Sequence, residues 1–111
     1  MTVEILYFDG CPNYQATRTL VERVAAEMGV QPEIRMVEVT DFEAAERLRF
    51  LGSPTVRVDG RDVEPGADQR DQFMLACRVY RRDDGFSGQP LEGWLRDQLW
   101  GSYPDPAVAA E

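Results

Sequence analysis

At 111 residues the chain suits one domain and is too short for two ordinary ones, and its 43% hydrophobic content is enough to bury a core without disulfide staples. The formal net charge is −8, and the only tight basic cluster, Arg78, Arg81 and Arg82, is followed at once by Asp83 and Asp84, which argues against nucleic acids and anionic membranes as main partners. All 12 basic residues are arginine, so no imidazole or lysine amine is present to serve as general base, metal ligand or Schiff-base former, and Ser-His-Asp and Cys-His machinery drop out.

Residues Thr2 to Phe8, TVEILYF, read as a strand covered on both faces, ended by the turn pair Asp9-Gly10. A helix is expected over Pro12 to Met28. Thr17, Leu20, Val21, Val24, Ala25 and Met28 repeat at its period, Pro12 sits in the first turn, and Gly29 is the stop. Glu33 to Val39 is a second strand. Thr40 or Asp41 can cap a short helix to Phe50, with Phe42, Ala45 and Leu48 facing inward and Gly52 beyond its end. Thr55 to Val58 is a third strand, and Asp59-Gly60 is a hairpin turn returning Arg61 to Glu64 as a fourth, antiparallel strand. Pro65-Gly66 breaks it. Ala67 to Arg82 reads two ways: Phe73, Ala76, Cys77 and Tyr80 sit at helical spacing, while CRVYR, residues 77–81, reads as a short strand after a loop, the reading we favour; Asp83 to Gln89 is a loop. A last helix, Pro90 to Trp100, carries Leu91, Trp94, Leu95, Gln98 and Leu99 on one stripe. The order is βαβαββα: an α/β fold with a mixed four-stranded sheet, an insert after the hairpin and a C-terminal helix. Residues 1–100 form the domain and 101–111 a flexible tail.

The N-terminus has no basic segment followed by an apolar run, so it does not read as a signal peptide, and no stretch reaches transmembrane length. Two cysteines are too few for a secreted disulfide framework. A cytoplasmic protein with free thiols is the expectation.

Cys11 lies after the first strand, where the first helix begins. Unpaired N–H groups and the partial positive charge of a helix N-terminus stabilise a thiolate over a thiol, and this activates a nucleophile without histidine or lysine. The alternative is a buried small hydrophobe. Asp9 either caps the turn or helix or, when protonated, donates a proton. A proline opening a central strand cannot donate to the ladder, and at Gly52-Ser53-Pro54-Thr55 a cis bond before Pro54 would account for it, the alternative being a proline that merely ends the second helix. Cys77 reads either as a core cysteine or as a resolving thiol for Cys11.

FDGCPNY, followed about forty residues later by FLGSPTVRVDGRDV, resembles the thioredoxin and glutaredoxin superfamily over residues 2–64. The resemblance implies an active-site cysteine at Cys11, a cis-proline loop at Pro54, and substrate contacts from Pro12, Tyr14 and the backbone at Ser53 and Thr55. Dithiol members carry a second cysteine where this chain has Tyr14, so a relay within the motif is excluded. The pattern DGCPN, GSPT and CRVYR also resembles small bacterial thioredoxin-like proteins, some labelled organomercurial-lyase-like. The function so implied is thiol-disulfide exchange through a single cysteine, working alone or resolved by Cys77. Its substrate is a protein or glutathione thiol or disulfide, and glutathione is the one co-substrate, with no other cofactor and no metal. Two alternatives stand beside it: a non-catalytic binding module, and a protein that handles organomercurials or other soft metals through its thiols.

Overall fold

A computed structural model describes residues 1–102. Strand β1 (Thr2–Tyr7) is central. It pairs in parallel with β2 (Glu33–Glu38) and antiparallel with β3 (Thr55–Val58), and β4 (Arg61–Asp62) closes the sheet in the order β2-β1-β3-β4. A parallel neighbour needs a crossover, and α1 (Tyr14–Met28) supplies it. Gly29 ends that helix in the left-handed conformation, at φ 72°.

The pleat divides the core. Val3 and Ile5 stand opposite Val58 and Val56, and all four pack with Val21 and Val24 of α1 and with Leu95 and Leu99 of α3 (Glu92–Ser102). On the other face Leu6 meets Val39, Ala44, Ala45 and Phe50 around α2 (Phe42–Arg47). Helices therefore cover both faces, as the largely apolar β1 requires. Trp94 is half-buried at the edge of the first cluster, its ring tilted against Tyr80.

Several boundaries differ from expectation. The first helix begins at Tyr14, behind an Asn13 N-cap whose carbonyl accepts the Thr17 N–H at 3.0 Å, while residues before it belong to the turn that the Cys11 N–H closes on the Phe8 carbonyl at 3.1 Å. Asp41 caps α2 by accepting the Ala44 N–H at 2.8 Å, but that helix stops at Arg47, and Phe42 is 73% exposed rather than inward. Position N1 of so short a helix lies outside the buried face set by Ala44 and Ala45. Strand β4 is cut to two residues because the Asp62 side chain turns back to accept the Glu64 N–H. After a 3₁₀ turn (Ala67–Gln69), the CRVYR segment enters regular pairing only at Tyr80. There β5 (Tyr80–Arg82) turns through Asp83-Asp84 into β6 (Gly85–Ser87), a strand inside the expected loop. The final helix runs from Glu92 through Ser102, later at both ends than expected. The expected tail, 101–111, thus yields its first two residues to this helix, and the rest, 103–111, lies outside the described residues. Among the described residues no helix is long and apolar enough to cross a membrane.

Candidate active site

The loop from β1 to α1 is folded by its own backbone. The Cys11 N–H closes the Asp9-Gly10 turn on Phe8, and the Thr17 N–H donates to the Asn13 carbonyl to begin the helix. Between these bonds the Cys11 side chain turns back, and its Sγ accepts the Asn13 N–H at 3.4 Å. The sulfur thus meets a backbone donor at the threshold of the helix, although Cys11 itself precedes the first turn. The residue is 4% exposed.

The neighbours narrow the approach. A Cβ at Gly88 would lie 2.3 Å from Asn13 Nδ2, so the loop before α3 rests on the Asn13 amide. Tyr14 stacks on Tyr7 with ring centroids 4.2 Å apart. Partial burial, reinforced by Glu38, holds the Tyr7 phenol above its ordinary pKa. Pro12 is exposed. Asp9 is exposed in the turn, and among the described residues no hydrogen bond involves its carboxylate, so it caps nothing there. The helix N-cap is Asn13, whose side chain makes no cap bond.

The second loop is held more tightly than the first. The Ser53–Pro54 peptide bond is cis. Ser53 Oγ accepts the Phe8 N–H at 3.4 Å, which ties this loop to the end of β1. Both Ser53 backbone groups are engaged: its N–H donates to the Ala76 carbonyl and its carbonyl accepts the Arg78 N–H, each at 2.8 Å. This is a parallel bridge between Ser53 and Cys77. The backbone that the resemblance assigns to substrate is therefore occupied at Ser53 by the chain's own insert. Gly52, at φ +113°, makes this approach possible, since a Cβ there would come within 2.9 Å of Arg78 Cβ and 3.1 Å of the Ala76 carbonyl.

Along the insert Arg78 and Tyr80 point inward, while Cys77 and Val79 are exposed. Cys77 is thus a free surface thiol beside the cis-proline loop and not a core residue. Arg78, only 2% exposed, anchors this arrangement. Its Nη1 donates to Asp62 Oδ2 at 2.8 Å and Thr55 Oγ1 at 3.0 Å, and its Nη2 donates to Glu64 Oε1 at 2.6 Å and Asp62 Oδ1 at 3.2 Å. Burial works against its charge, but Tyr80, Asp62 and Glu64 outweigh it and hold the guanidinium pKa above its ordinary value. The Tyr80 hydroxyl donates to the Pro54 carbonyl, and burial raises its pKa strongly. Thr55 completes the set by donating to the Gly52 carbonyl at 2.7 Å.

The two sequence motifs, at Cys11 and at Pro54, are thus tied together through Phe8 and Ser53. The insert, with Arg78, Tyr80 and their partners Asp62 and Glu64, is the part that sequence reasoning passed over. Its signal was the alternation in CRVYR beside the acidic pair in DVE, which matches a buried arginine with carboxylates two residues apart. Among the described residues no three His, Cys, Asp or Glu side chains gather into a metal-binding group.

Residues 1–76 match a family model described as a thioredoxin domain. That span holds both Cys11 and Pro54 and ends one residue before Cys77. No curated protein and no solved structure matches the chain.

Proposed function

The chain belongs to the thioredoxin domain family, and on that premise we propose that it exchanges thiols and disulfides through Cys11. The observation that carries this reading is the Asn13 N–H on Cys11 Sγ, at the threshold of a 15-residue helix. A sulfur that accepts a backbone hydrogen bond near a helix N-terminus is favoured as a thiolate, the attacking form in thiol-disulfide exchange. Tyr14 stands in place of a second cysteine in the motif, so the second electron-pair transfer falls to another thiol. In this proposal that thiol is Cys77, an exposed free cysteine bridged to Ser53 next to Pro54.

In the first step the Cys11 thiolate attacks a substrate disulfide, forms a mixed disulfide and releases one substrate thiolate. In the second, the Cys77 thiolate attacks Cys11 Sγ, releases the other substrate thiolate and leaves a Cys11–Cys77 disulfide. The substrate gains two electrons and the protein dithiol loses two. Glutathione can take the place of Cys77 in the second step, with the protein then working as a monothiol. Protein disulfides and glutathione adducts are the substrate class. Pro12 and Tyr14 line the approach to the sulfur.

The 4% exposure of Cys11 and the occupied Ser53 backbone favour a second reading, a binding module of thioredoxin fold without exchange activity. Reduction of a glutathionylated peptide separates the two. Without added glutathione, exchange through Cys11 predicts that the wild type completes one turnover and ends as the Cys11–Cys77 disulfide, Cys11→Ser loses all activity, and Cys77→Ser stops at a mixed disulfide visible by intact mass. Wild-type turnover by Cys11→Ser, or no adduct at Cys11 in any variant, would leave the binding module as the function.

A further inference from the structure

Away from the two cysteines, a cavity of about 400 Å³ opens between β3, β4 and the segment that follows β4. That is within the range of small-molecule sites, roughly 300–1,000 Å³. Neither Cys11 nor Pro54 lines it. Four arginines do, Arg49, Arg57, Arg61 and Arg70, together with Phe73. In a chain of net charge −8 this concentration of guanidinium groups runs against the composition.

The charges are unevenly matched. Arg70 is paired with Glu64 at 2.8 Å. Among the described residues, Arg49, Arg57 and Arg61 have no carboxylate within the 4.0 Å of an ion pair. Three aspartates also line the cavity. Asp62 is committed to Arg78, Asp59 accepts the Thr2 N–H at 2.8 Å, and Asp68 is exposed.

Arg57 is the informative member. It is half-buried on β3, and one nitrogen, Nη2, donates to the Leu48 and Arg49 carbonyls at 2.7 and 3.0 Å. Those bonds fix the plane of the guanidinium while its other nitrogens make no hydrogen bond among the described residues. Desolvation holds its pKa below the ordinary value, with Arg78 and Arg49 adding like charge and Asp62 and Glu4 only partly offsetting it. Glu4 and Asp62 stand opposite Arg57 on the neighbouring strands but form no ion pair with it, so desolvation is not repaid within the chain, and a bound anion would repay it. Arg49 itself sits at φ 54°, a conformation uncommon for a residue with a side chain, and lies over the Phe73 ring at 4.8 Å.

We propose that this cavity binds a small organic phosphate. Three guanidinium groups reach it from three separate positions: Arg49 before β3, Arg57 on β3 and Arg61 at the start of β4. A planar carboxylate is satisfied by one such fork. A phosphate monoester offers three terminal oxygens and close to two negative charges, which matches donors arriving from several sides. Phe73 supplies an apolar wall for the organic part.

The test is a titration of the full chain with AMP, followed by ¹H–¹⁵N spectra that include the arginine Nε resonances, at about 0.15 M salt. The expected result is saturable shifts centred on Arg57 and Phe73, with a Kd of about 0.1–1 mM, and at least tenfold weaker binding of succinate. Arg57→Gln should weaken AMP at least tenfold. Arg49→Gln, at an exposed residue, should weaken it several-fold and serves if Arg57→Gln fails to fold. Cys11→Ser should bind as the wild type, which keeps this site independent of the thiol chemistry. The proposal is overturned if the shifts do not saturate, if succinate or glutathione binds as well as AMP, or if Arg49→Gln keeps wild-type affinity.

Discussion

Replacing Arg78 by Met removes the guanidinium while keeping most of the apolar stem, so it isolates the charge that holds the insert to the hairpin. Four side-chain hydrogen bonds are lost, two of them to Asp62, whose side chain is only 9% exposed. Asp62 is left without its ion-pair partner while its side chain stays largely buried at the edge of the cavity. Glu64 keeps Arg70 as a partner and is less affected. Breaking one side of a buried ion pair costs about 3–5 kcal/mol, because the remaining carboxylate stays desolvated. The lost guanidinium over the Tyr80 ring, 4.4 Å from its centroid, adds roughly 1 kcal/mol. For a domain of this size a loss of about 5 kcal/mol corresponds to a fall in Tm of roughly 20 °C. Urea unfolding followed by circular dichroism would measure the loss. The same experiment on Arg78→Met combined with Asp62→Asn should recover part of it, since neutralising the stranded carboxylate removes the main cost. A loss under about 1 kcal/mol, the worth of an exposed pair, or no recovery in the double variant, would refute the assignment of Arg78 as a buried anchor.

Gly52→Ala should cost about 1–3 kcal/mol, through the strained φ and the displacement of Arg78 and Ala76, and should raise protease cleavage within residues 70–79. Cleavage and stability both like the wild type would mean that the insert does not need the close approach. Leu95→Ala, at a fully buried position between α1 and the sheet, should cost about 2–5 kcal/mol in urea unfolding, whereas Phe42→Ala should fall within about 0.5 kcal/mol of wild type. Arg96 and Arg23 hold Glu27 below the ordinary value of 4.5, and Arg23 and Arg96 do the same for Glu92. A depressed carboxylate stabilises the fold above its unfolded value and loses that contribution as pH falls through its folded one. The Tm of Glu27→Gln/Glu92→Gln should therefore lie slightly below wild type at neutral pH, converge with it in acid, and differ less at high salt because these groups are exposed. A difference that grows in acid would reverse the sign of the linkage.

Much of this molecule was legible locally. The nearly all-apolar run Thr2 to Phe8 pointed to a covered strand, the stripe from Thr17 to Met28 to a helix against it, and Asp59-Gly60 to a tight hairpin, where both residues have positive φ. The Asp41 cap, Leu95 and Leu99 follow from equally short-range rules. Each depends on residues within a turn or a strand length of one another, and such signals survive without knowledge of the fold. Cys11 and the loop at Pro54 could also be singled out, since a cysteine after a strand and a proline opening one are local anomalies. What lies between them could not. The buried position of Arg78 depends on Asp62, Glu64 and Thr55, which reach it only after the hairpin and the insert have folded onto each other. By composition alone an arginine belongs in water. Cys77 is seated against Ser53, and the arginines gather around one cavity, for the same reason: pairings between separate elements are chosen by the closed sheet, beyond the reach of any short-range rule.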